Sequence, residues 1–385
     1  MNWIHPLRAA LVAAATAAVA LGAQAQMKVG VIASATGPIG AVGIPQKNTA
    51  ALLPRRIGDI DVEYIVLDDG SDSTTTVTQV RRLLSQDKVD AIIGPSGSPN
   101  AMASLQFLSE AKTPLLAPVG TAAVVLPMDE HKRWVFKTTQ NDGLIAEALV
   151  AHMAKTGVKT LGFIGLSDAF GESWYRTVTP MLERAGIRIV ANERYQRGDA
   201  SVLAQATKIV AANPDVVLVA AAGAPTVLPE TTLVERGYRG HIYQTHGAAT
   251  PDFVRLGGKA VEGTIMAASL MLVLDQIADT NPSRKVALDY IAAYQKLYGS
   301  RPATFGANVY DAGLLLQRAV PEAAKKARPG TPEFRSALRD ALESVHELVG
   351  TQGVYNMTPQ DHSGFDQRGR ELMVLKNGTW QLLTP

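Results

Sequence analysis

The 385-residue sequence contains no cysteine. This absence excludes disulfides, thiolate zinc sites, iron–sulfur clusters and cysteine nucleophiles. An excess of either charge is also lacking, because 37 Lys and Arg against 35 Asp and Glu leave a net charge of +2. The chain therefore offers no basic field for nucleic acid, and we expect no nucleic-acid partner. A hydrophobic content of 46% predicts folded domains, and the length indicates two or three of them.

Long apolar runs are missing after the first 25 residues. Arg8 and the amino terminus precede an apolar run over residues 9–21, and Ala23-Gln24-Ala25 has the small-x-small form that signal peptidase cleaves. The run is too short to span a bilayer comfortably. We expect residues 1–25 to be a signal peptide, the mature chain to begin at Gln26, and the protein to be exported to the periplasm without a membrane span.

The motifs of common catalytic and metal sites are missing too. The sequence has no H-E-x-x-H, no P-loop and no G-x-S-x-G, and the serines at 96, 98 and 167 do not fit the nucleophile elbow. His241 and His246 are badly spaced for a shared metal. We therefore expect no metal, no cofactor and no enzymatic activity. A secreted hydrolase remains an alternative that ligand turnover would reveal.

A glycine-rich loop, Thr36 to Gly43, follows the first predicted strand. Its spacing is G-x-x-G-x-x-G rather than the dinucleotide fingerprint G-x-G-x-x-G, and Pro38 removes an amide donor. The loop disfavours a nucleotide. A helix start with free N–H groups still accepts a carboxylate or another polar ligand.

Short apolar runs alternate with helical patterns along the rest of the chain. The spacing predicts strands over Met27–Ala33, Val62–Leu67, Asp90–Ile93 and Pro114–Ala117, with helices between them, the first over Ile44–Arg56. The same alternation of predicted strands and helices begins again near residue 134, and long helices are predicted after residue 282. The fold class is therefore α/β, with two doubly wound lobes built on mostly parallel sheets.

Hydroxyl groups follow several of the predicted strands and are candidates for a ligand site. In open α/β sheets, ligands bind at the carboxyl ends of the strands. Alternatively, the same hydroxyls only cap their helices. The nearby aromatic residues would then belong to the hydrophobic core, and the histidine would lie in a loop with a backbone hydrogen-bond partner. These candidates are Ser34, Thr36, Ser96, Ser98, Thr121, Phe170, His246 and Phe305.

Six motifs, in the same order along the chain, resemble those of one protein family. They include Met27-Lys28-Val29-Gly30-Val31-Ile32 with Thr36-Gly37-Pro38, Asp90-Ala91-Ile92-Ile93-Gly94-Pro95-Ser96, Pro114-Leu115-Leu116-Ala117-Pro118, Asp168-Ala169-Phe170-Gly171, Asp215-Val216-Val217-Leu218-Val219, and Gly257-Gly258-Lys259-Ala260-Val261-Glu262-Gly263-Thr264 with Tyr310-Asp311-Ala312. The whole mature chain thus resembles the type I periplasmic solute-binding proteins of ABC importers, in the leucine/isoleucine/valine-binding branch.

The resemblance implies two lobes joined by a three-crossing hinge. The first lobe would take residues 27–138 and 268–350, and the second 139–267 and 351–385. The ligand would lie in the cleft, the lobes would close over it, and a permease in the inner membrane would recognise the closed form. A monomer is expected, because the hinge needs freedom to close.

The resemblance also implies site residues, position by position. The loop Ser96–Asn100 would hold a ligand carboxylate through hydroxyls and amides, with Ser96 and Ser98 as donors. The loop after the first strand, with Ser34 and Thr36, would lie beside it. The remaining implied positions in the walls of the cleft are Val119, Gly120, Thr121, Phe170, Gly223 and Phe305.

One departure from the family pattern bears on the ligand. Amino-acid binders of this branch carry an acidic residue after the strand that ends here at Gln244, and this chain reads Thr245-His246-Gly247-Ala248. A buried ammonium without an anion is costly. We therefore predict a small carboxylate without an ammonium, with an aromatic acid favoured and His246 at the site. The alternatives are an amino acid or amide, whose amino group another acid would serve, and a ligand-sensing receptor.

Overall fold

The computed structural model describes residues 26–383, so the predicted signal peptide, residues 1–25, lies outside the described residues. Two sheets dominate this part of the chain. The first has six strands in the order β2-β3-β1-β4-β5-β6, all parallel except β2. Its strands are β1 (Gln26–Ala33), β2 (Arg56–Ile57), β3 (Ile60–Asp68), β4 (Ala91–Ile93), β5 (Leu115–Ala117) and β6 (Val135–Lys137).

Helices connect the parallel strands of the first sheet and cover it. They are α1 (Gly40–Thr49), α2 (Ser73–Arg82) and α3 (Ser98–Glu110). Every residue of β4 and β5 is buried, as expected of parallel strands covered on both faces. All three loops that precede these helices leave the carboxyl edge of the sheet.

The second sheet has seven strands: two antiparallel strands at one edge, followed by five parallel strands in the order β11-β10-β9-β7-β8. Those five are β7 (Thr160–Leu166), β8 (Arg188–Tyr195), β9 (Val216–Ala220), β10 (His241–Gln244) and β11 (Ile265–Ala268). The helices of this lobe are α4 (Asp142–Lys155), α5 (Ala169–Arg184), α6 (Leu203–Ala212), α7 (Val227–Glu235) and α8 (Pro251–Gly257).

The last third of the chain contributes to both lobes. Its elements are α9 (Pro282–Tyr298), α10 (Gly306–Ala324), α11 (Pro332–Glu343), the ribbon β12 (Leu348–Val349) and β13 (Val354–Tyr355), and the antiparallel strands β14 (Glu371–Lys376) and β15 (Thr379–Leu382). Helices α10 and α11 pack on the first sheet, while β14 and β15 extend the second. The chain therefore passes between the lobes three times: after β6, after β11 and before β14. No helix within residues 26–383 combines the length and the apolar character needed to cross a membrane.

The predicted lobe boundaries remain a prediction. Tyr355 and Met357, which those boundaries assign to the second lobe, pack into the core around the first sheet. The third crossing lies against the first: the Gln140 side chain donates to the Gly369 carbonyl at 2.7 Å, and the Lys137 amide donates to the His362 carbonyl at 2.8 Å. Two of the three crossings are thus tied together at the hinge.

The first predicted helix is displaced in the structure. It was predicted over Ile44–Arg56, but α1 begins at Gly40 and ends at Thr49, followed by a 3-10 turn over Ala50–Leu52. Leu53 is already extended (ψ 145°), because the ring of the following proline disfavours the helical conformation of the residue before it. The earlier start brings the helix close to the carboxyl end of β1.

Candidate functional site

A small cavity of about 30 Å³ lies between the two lobes. Loops that leave the carboxyl ends of both sheets form its walls, the position expected for a ligand site in open α/β sheets. The first lobe contributes Ile39, Val42, Ser96, Gly97, Ser98, Pro118, Gly120 and Phe305, the first crossing contributes Thr139, and the second lobe contributes Phe170, Arg197, Ala222, His246 and Gly247.

The two serines predicted to hold a carboxylate have different surroundings. The Ser96 hydroxyl donates to Gln46 Oε1 at 2.5 Å and accepts from the Ser34 amide at 2.9 Å, so its proton is used within the protein. Ser98 is only 4% exposed, and its hydroxyl has no hydrogen-bond partner among the described residues. Ser98 opens α3, where the first amides of a helix lack intrahelical acceptors. A carboxylate in the cavity would meet a hydroxyl and helix amides there.

Arg197, just beyond the end of β8, brings a cation to the same cavity. Its Nε donates to Asp168 Oδ2 at 2.6 Å and its Nη1 to the Ala222 carbonyl at 3.4 Å, while Nη2 has no partner within residues 26–383. Asp168 also caps α5 by accepting from the Phe170 amide. The pair with Asp168 orients the guanidinium and leaves one edge for a ligand.

Lys137 lies buried beneath the loop that follows β5. Its Nζ donates to the carbonyls of Val119 (2.5 Å), Gly120 (2.6 Å) and Thr121 (3.0 Å). These three bonds use every N–H of the ammonium. Lys137 therefore fixes the backbone of a cavity wall and has no donor left for a ligand.

Asp142, the first residue of α4, compensates this buried charge. Its Oδ2 accepts from the Ser173 hydroxyl at 2.6 Å and from the Ala122 amide at 3.3 Å, and its own amide donates to the Gly120 carbonyl. Burial lowers the pKa of Lys137, and the charge of Asp142 opposes this shift. Burial raises the pKa of Asp142, and the charge of Lys137 opposes that shift. Asp142 thus links the cavity loop of the first lobe to α5 of the second.

His246 is 5% exposed and makes no hydrogen bond within the described chain; its Nδ1 is fully enclosed. Burial, reinforced by the Lys137 ammonium, lowers the pKa of His246 to about 3. Its ring lies 6.0 Å from the rings of Phe170 and Trp174. At neutral pH the side chain is therefore an uncharged imidazole in an aromatic setting, with one donor and one acceptor nitrogen.

The lobes touch closely where Gly120 meets His246. A β-carbon on Gly120 would lie 2.5 Å from His246 Nε2 and 3.0 Å from the Phe170 ring, nearer than real β-carbons approach other atoms. A β-carbon on Gly223 would lie 3.4 Å from Ile39, an ordinary van der Waals contact. Both contacts join opposite lobes, so the structure shows the cleft closed.

The structure gathers only part of the predicted site around the cavity. Six predicted residues line it: Ser96, Ser98, Gly120, Phe170, His246 and Phe305. Five others do not: Ser34, Thr36, Val119, Thr121 and Gly223. Thr36 is exposed and its amide bonds Asp68, while the Thr121 hydroxyl accepts from the Ala123 amide and the Val119 carbonyl is occupied by Lys137.

Sequence reasoning missed Arg197, Lys137 and Asp142. Arg197 lies in a polar run after a strand, and Lys137 and Asp142 lie on either side of a crossing. Charged residues at such positions are usually exposed to solvent. The one available indication was the position of Arg197 beyond the carboxyl end of a predicted strand. No residue lining the cavity in the described chain carries a carboxyl group, and within residues 26–383 no group of three or more His, Asp and Glu side chains is arranged to hold a metal.

Comparison with known proteins agrees with this geometry. The profile of the periplasmic binding protein family matches residues 26–375. A solved extracellular ligand-binding receptor from Rhodopseudomonas palustris HaA2 is 43% identical, with a TM-score of 0.91 over 94% of this chain and 100% of that one. Leu/Ile/Val-binding protein homolog 3 of Brucella melitensis is 25% identical over 88% of this chain and 89% of its own length. BraC3 of Rhizobium johnstonii, a Leu/Ile/Val-binding protein, is 27% identical over 85% and 86%.

The chain belongs to the periplasmic binding protein family. Within that family, its two curated relatives above are named as Leu/Ile/Val-binding proteins.

Proposed function

We propose that this protein is the receptor of an ABC importer for a small carboxylate that lacks an ammonium group, with an aromatic acid favoured. One observation carries the proposal: the free Ser98 hydroxyl stands at the amino end of α3 in a closed cavity whose lining has no carboxyl group. Hydroxyl and helix amides suit a carboxylate, whereas nothing on the walls neutralises an ammonium.

Arg197 and the apolar walls support the same ligand class. The free guanidinium edge favours an anion. Ile39, Val42, Phe170 and Phe305 offer apolar surface to a ring. In this proposal Ser98 binds the carboxylate, Arg197 attracts it from the second lobe, and the ring packs between the aromatic residues.

The protein acts as a monomer without cofactor, residues 1–25 direct its export to the periplasm, and the closed form is recognised by the permease.

An amino acid is the second candidate, because the curated relatives are Leu/Ile/Val-binding proteins. The apolar walls also suit a branched aliphatic side chain. That candidate requires an acid for the ammonium. Asp168 contacts the lining through Arg197, which already pairs with it.

A thermal-shift screen of purified residues 26–385 tests the choice. One panel holds benzoates, cinnamates and short aliphatic acids, and the other holds amino acids, including leucine, isoleucine and valine. Ligand at 100 times its dissociation constant adds about 2.7 kcal/mol to the free energy of unfolding. We expect stabilisation by acids of the first panel; stabilisation by amino acids alone would sink the proposal.

Two substitutions locate the carboxylate. Ser98→Ala should weaken binding of the best acid by about 1–2 kcal/mol, roughly 5- to 30-fold, because one hydrogen bond to an ion is lost. Ser109→Ala, at the far end of the same helix and bonded to the Glu130 carbonyl, is the control and should leave affinity unchanged. Equal affinities of the two variants would remove Ser98 from the site.

A further inference from the structure

A second cavity lies between the lobes, outside the cleft. Its volume is about 680 Å³, which is in the range of sites that bury drug-sized ligands. Both cavities touch the loop after β5 and the start of α5: Gly120 and Phe170 line the one in the cleft, whereas Ala122 and Ser173 line the second. The remaining walls of the second cavity come from α3, the start of α4 and the third crossing.

Apolar side chains from three parts of the chain line the second cavity. Met102 and Leu126 belong to the first lobe, Leu144 to the second, and Phe365 to the third crossing. Leu126 is 42% exposed in the free protein. A ligand with an apolar body would remove part of this surface from water, which favours binding.

Two of the four charged residues that line the second cavity are already neutralised. Lys132 Nζ pairs with Asp129 Oδ2 at 3.1 Å and also donates to two backbone carbonyls. Glu147 Oε2 pairs with Arg370 Nη1 at 3.1 Å. Neither Lys132 nor Glu147 therefore needs a charged group from a ligand.

The other two are a cation and an anion without a counter-charge. Arg176, on α5, makes no hydrogen bond or ion pair within residues 26–383. Asp361, on the third crossing, accepts through Oδ1 from the amides of Ser363 at 2.8 Å and Gly364 at 3.4 Å, while its Oδ2 has no partner in the same part of the chain. Both charged residues are exposed, so a ligand reaches them from solvent. Their opposite charges match a ligand that carries both an anion and a cation.

We propose that the second cavity is a separate binding site for a zwitterion with an apolar body, of the size of a di- or tripeptide. The Arg176 guanidinium binds the carboxylate of the ligand, and Asp361 binds its ammonium. The apolar side chains of the ligand cover Leu126 and Leu144. This site differs from the cleft in its residues and in its ligand class, and it does not depend on the proposed function.

The second cavity should be occupied together with the cleft. Its walls belong to both lobes, so a ligand that touches both favours the closed form. The Ser173 hydroxyl donates to Asp142 Oδ2, which also accepts from the Ala122 amide, so residues of both lobes hold the wall that the two cavities share. A peptide in the second cavity therefore leaves the space in the cleft free.

Isothermal titration with matched peptides tests the site. The probes are leucyl-leucine and leucyl-leucyl-leucine, followed by the N-acetyl form and the C-terminal amide of whichever peptide binds more tightly. We expect each blocked form to bind at least tenfold more weakly than the free peptide, because each lacks one of the two charges. A saturating amount of the best acid from the thermal-shift screen should not weaken peptide binding.

Variants assign the peptide to the second cavity. Arg176→Gln and Asp361→Asn should each weaken binding of the tighter peptide about tenfold, and the asparagine keeps an acceptor for the two backbone amides. Arg184→Gln removes the same charge from an exposed position eight residues further along α5, outside the cavity lining, and is the matched control. Melting curves of each variant show that the fold persists.

Each outcome decides the inference. Peptide binding that either variant leaves unchanged, or that the saturating acid weakens, belongs to another site and overturns it. Equal binding of the blocked forms, or no binding of either peptide at millimolar concentration, overturns it as well. Failure of every acid in the thermal-shift screen would reject the proposed function and leave these tests of the second cavity in force.

Discussion

At the scale of single residues, the buried Lys137–Asp142 pair is the least expected feature of the molecule. Both side chains are fully buried, and together they hold one wall of the cavity against the start of α4. Two charges are costly to bury unless each satisfies the other and their hydrogen bonds are complete. The pair therefore serves to position the cavity wall, because it holds Gly120 in contact with His246.

Removing one partner of this pair should be severe. We expect Lys137→Met to lower the free energy of unfolding by about 3–5 kcal/mol, since Asp142 remains buried without its counter-charge. The double variant with Asp142→Asn should lose less than the sum of the single losses. Urea titration measures all three. Lys208→Met, which breaks an exposed pair with Glu193, is the control and should cost at most about 1 kcal/mol.

The titration of His246 gives a second prediction at this scale. Its pKa is about 3 in the folded protein against an ordinary value of 6.5, so the unfolded chain takes up a proton first as the pH falls. The stability of the wild type relative to His246→Gln should therefore decline by about 1.4 kcal/mol per pH unit below 6.5. Denaturant titrations between pH 7 and pH 4.5 measure it. A difference independent of pH would show that the pKa of His246 is the same in the folded and unfolded protein.

At the scale of elements, the loops that leave the two sheets decide how closely the lobes meet. Gly120 lies at an interlobe contact where a side chain has no space, and Gly223 lies at another with a φ of 74° that favours glycine. Gly94 serves a different need: its φ of 112° and its approach to the Ile32 carbonyl exclude a β-carbon. It directs the loop after β4 toward Ser96 and Ser98.

A methyl group at Gly120 should therefore hold the lobes apart. We expect Gly120→Ala to weaken ligand binding more than tenfold, because the closed state binds the ligand and the added carbon meets His246. The free energy of unfolding of the free protein should change by less than about 1 kcal/mol, since opening relieves the clash. Gly143→Ala, whose β-carbon meets only Thr177 at 3.9 Å, is the control; an unchanged affinity of Gly120→Ala would contradict the close contact.

The elements were largely predictable from sequence, and the site only in part. Buried strands such as β4 and β9 are short apolar runs ended by turn residues, and the loops after them follow from topology. Ser98 was predictable because it opens a helix at such an edge. Arg197 and Lys137 were not, because whether a charged side chain turns inward depends on acceptors that come from distant parts of the chain, such as Asp168 and the Val119 carbonyl.

At the scale of the whole molecule, the two lobes and the three crossings suit the proposed receptor, which would close over its ligand. Loops of both lobes line the same cavity, so a ligand that touches both favours the closed form. The hydrogen bonds between the first and third crossings, Lys137 to His362 and Gln140 to Gly369, lie at the pivot. We expect them to persist when the lobes separate.

Closure can be measured directly, because a chain without cysteine accepts a pair of labels at chosen positions. Spin labels on Thr74→Cys and Ala200→Cys, both exposed and in different lobes, should give a shorter and narrower distance distribution once the best acid is added. Labels on Glu63→Cys and Thr74→Cys, both in the first lobe, should not respond. If the distance distribution between the labels on the two lobes stays unchanged at saturating ligand, closure is contradicted.

The sharing of the last third of the chain between the lobes has a consequence for the order in which the protein folds. Phe334 and Leu338 complete the core of the first lobe, and Met373 and Leu375, on β14, belong to a core of the second. Neither lobe can finish its core while the ribosome is still adding these residues. The nascent chain therefore stays open until its final strands are made, and a truncation before residue 371 leaves β11 as an uncovered edge that invites pairing with other chains.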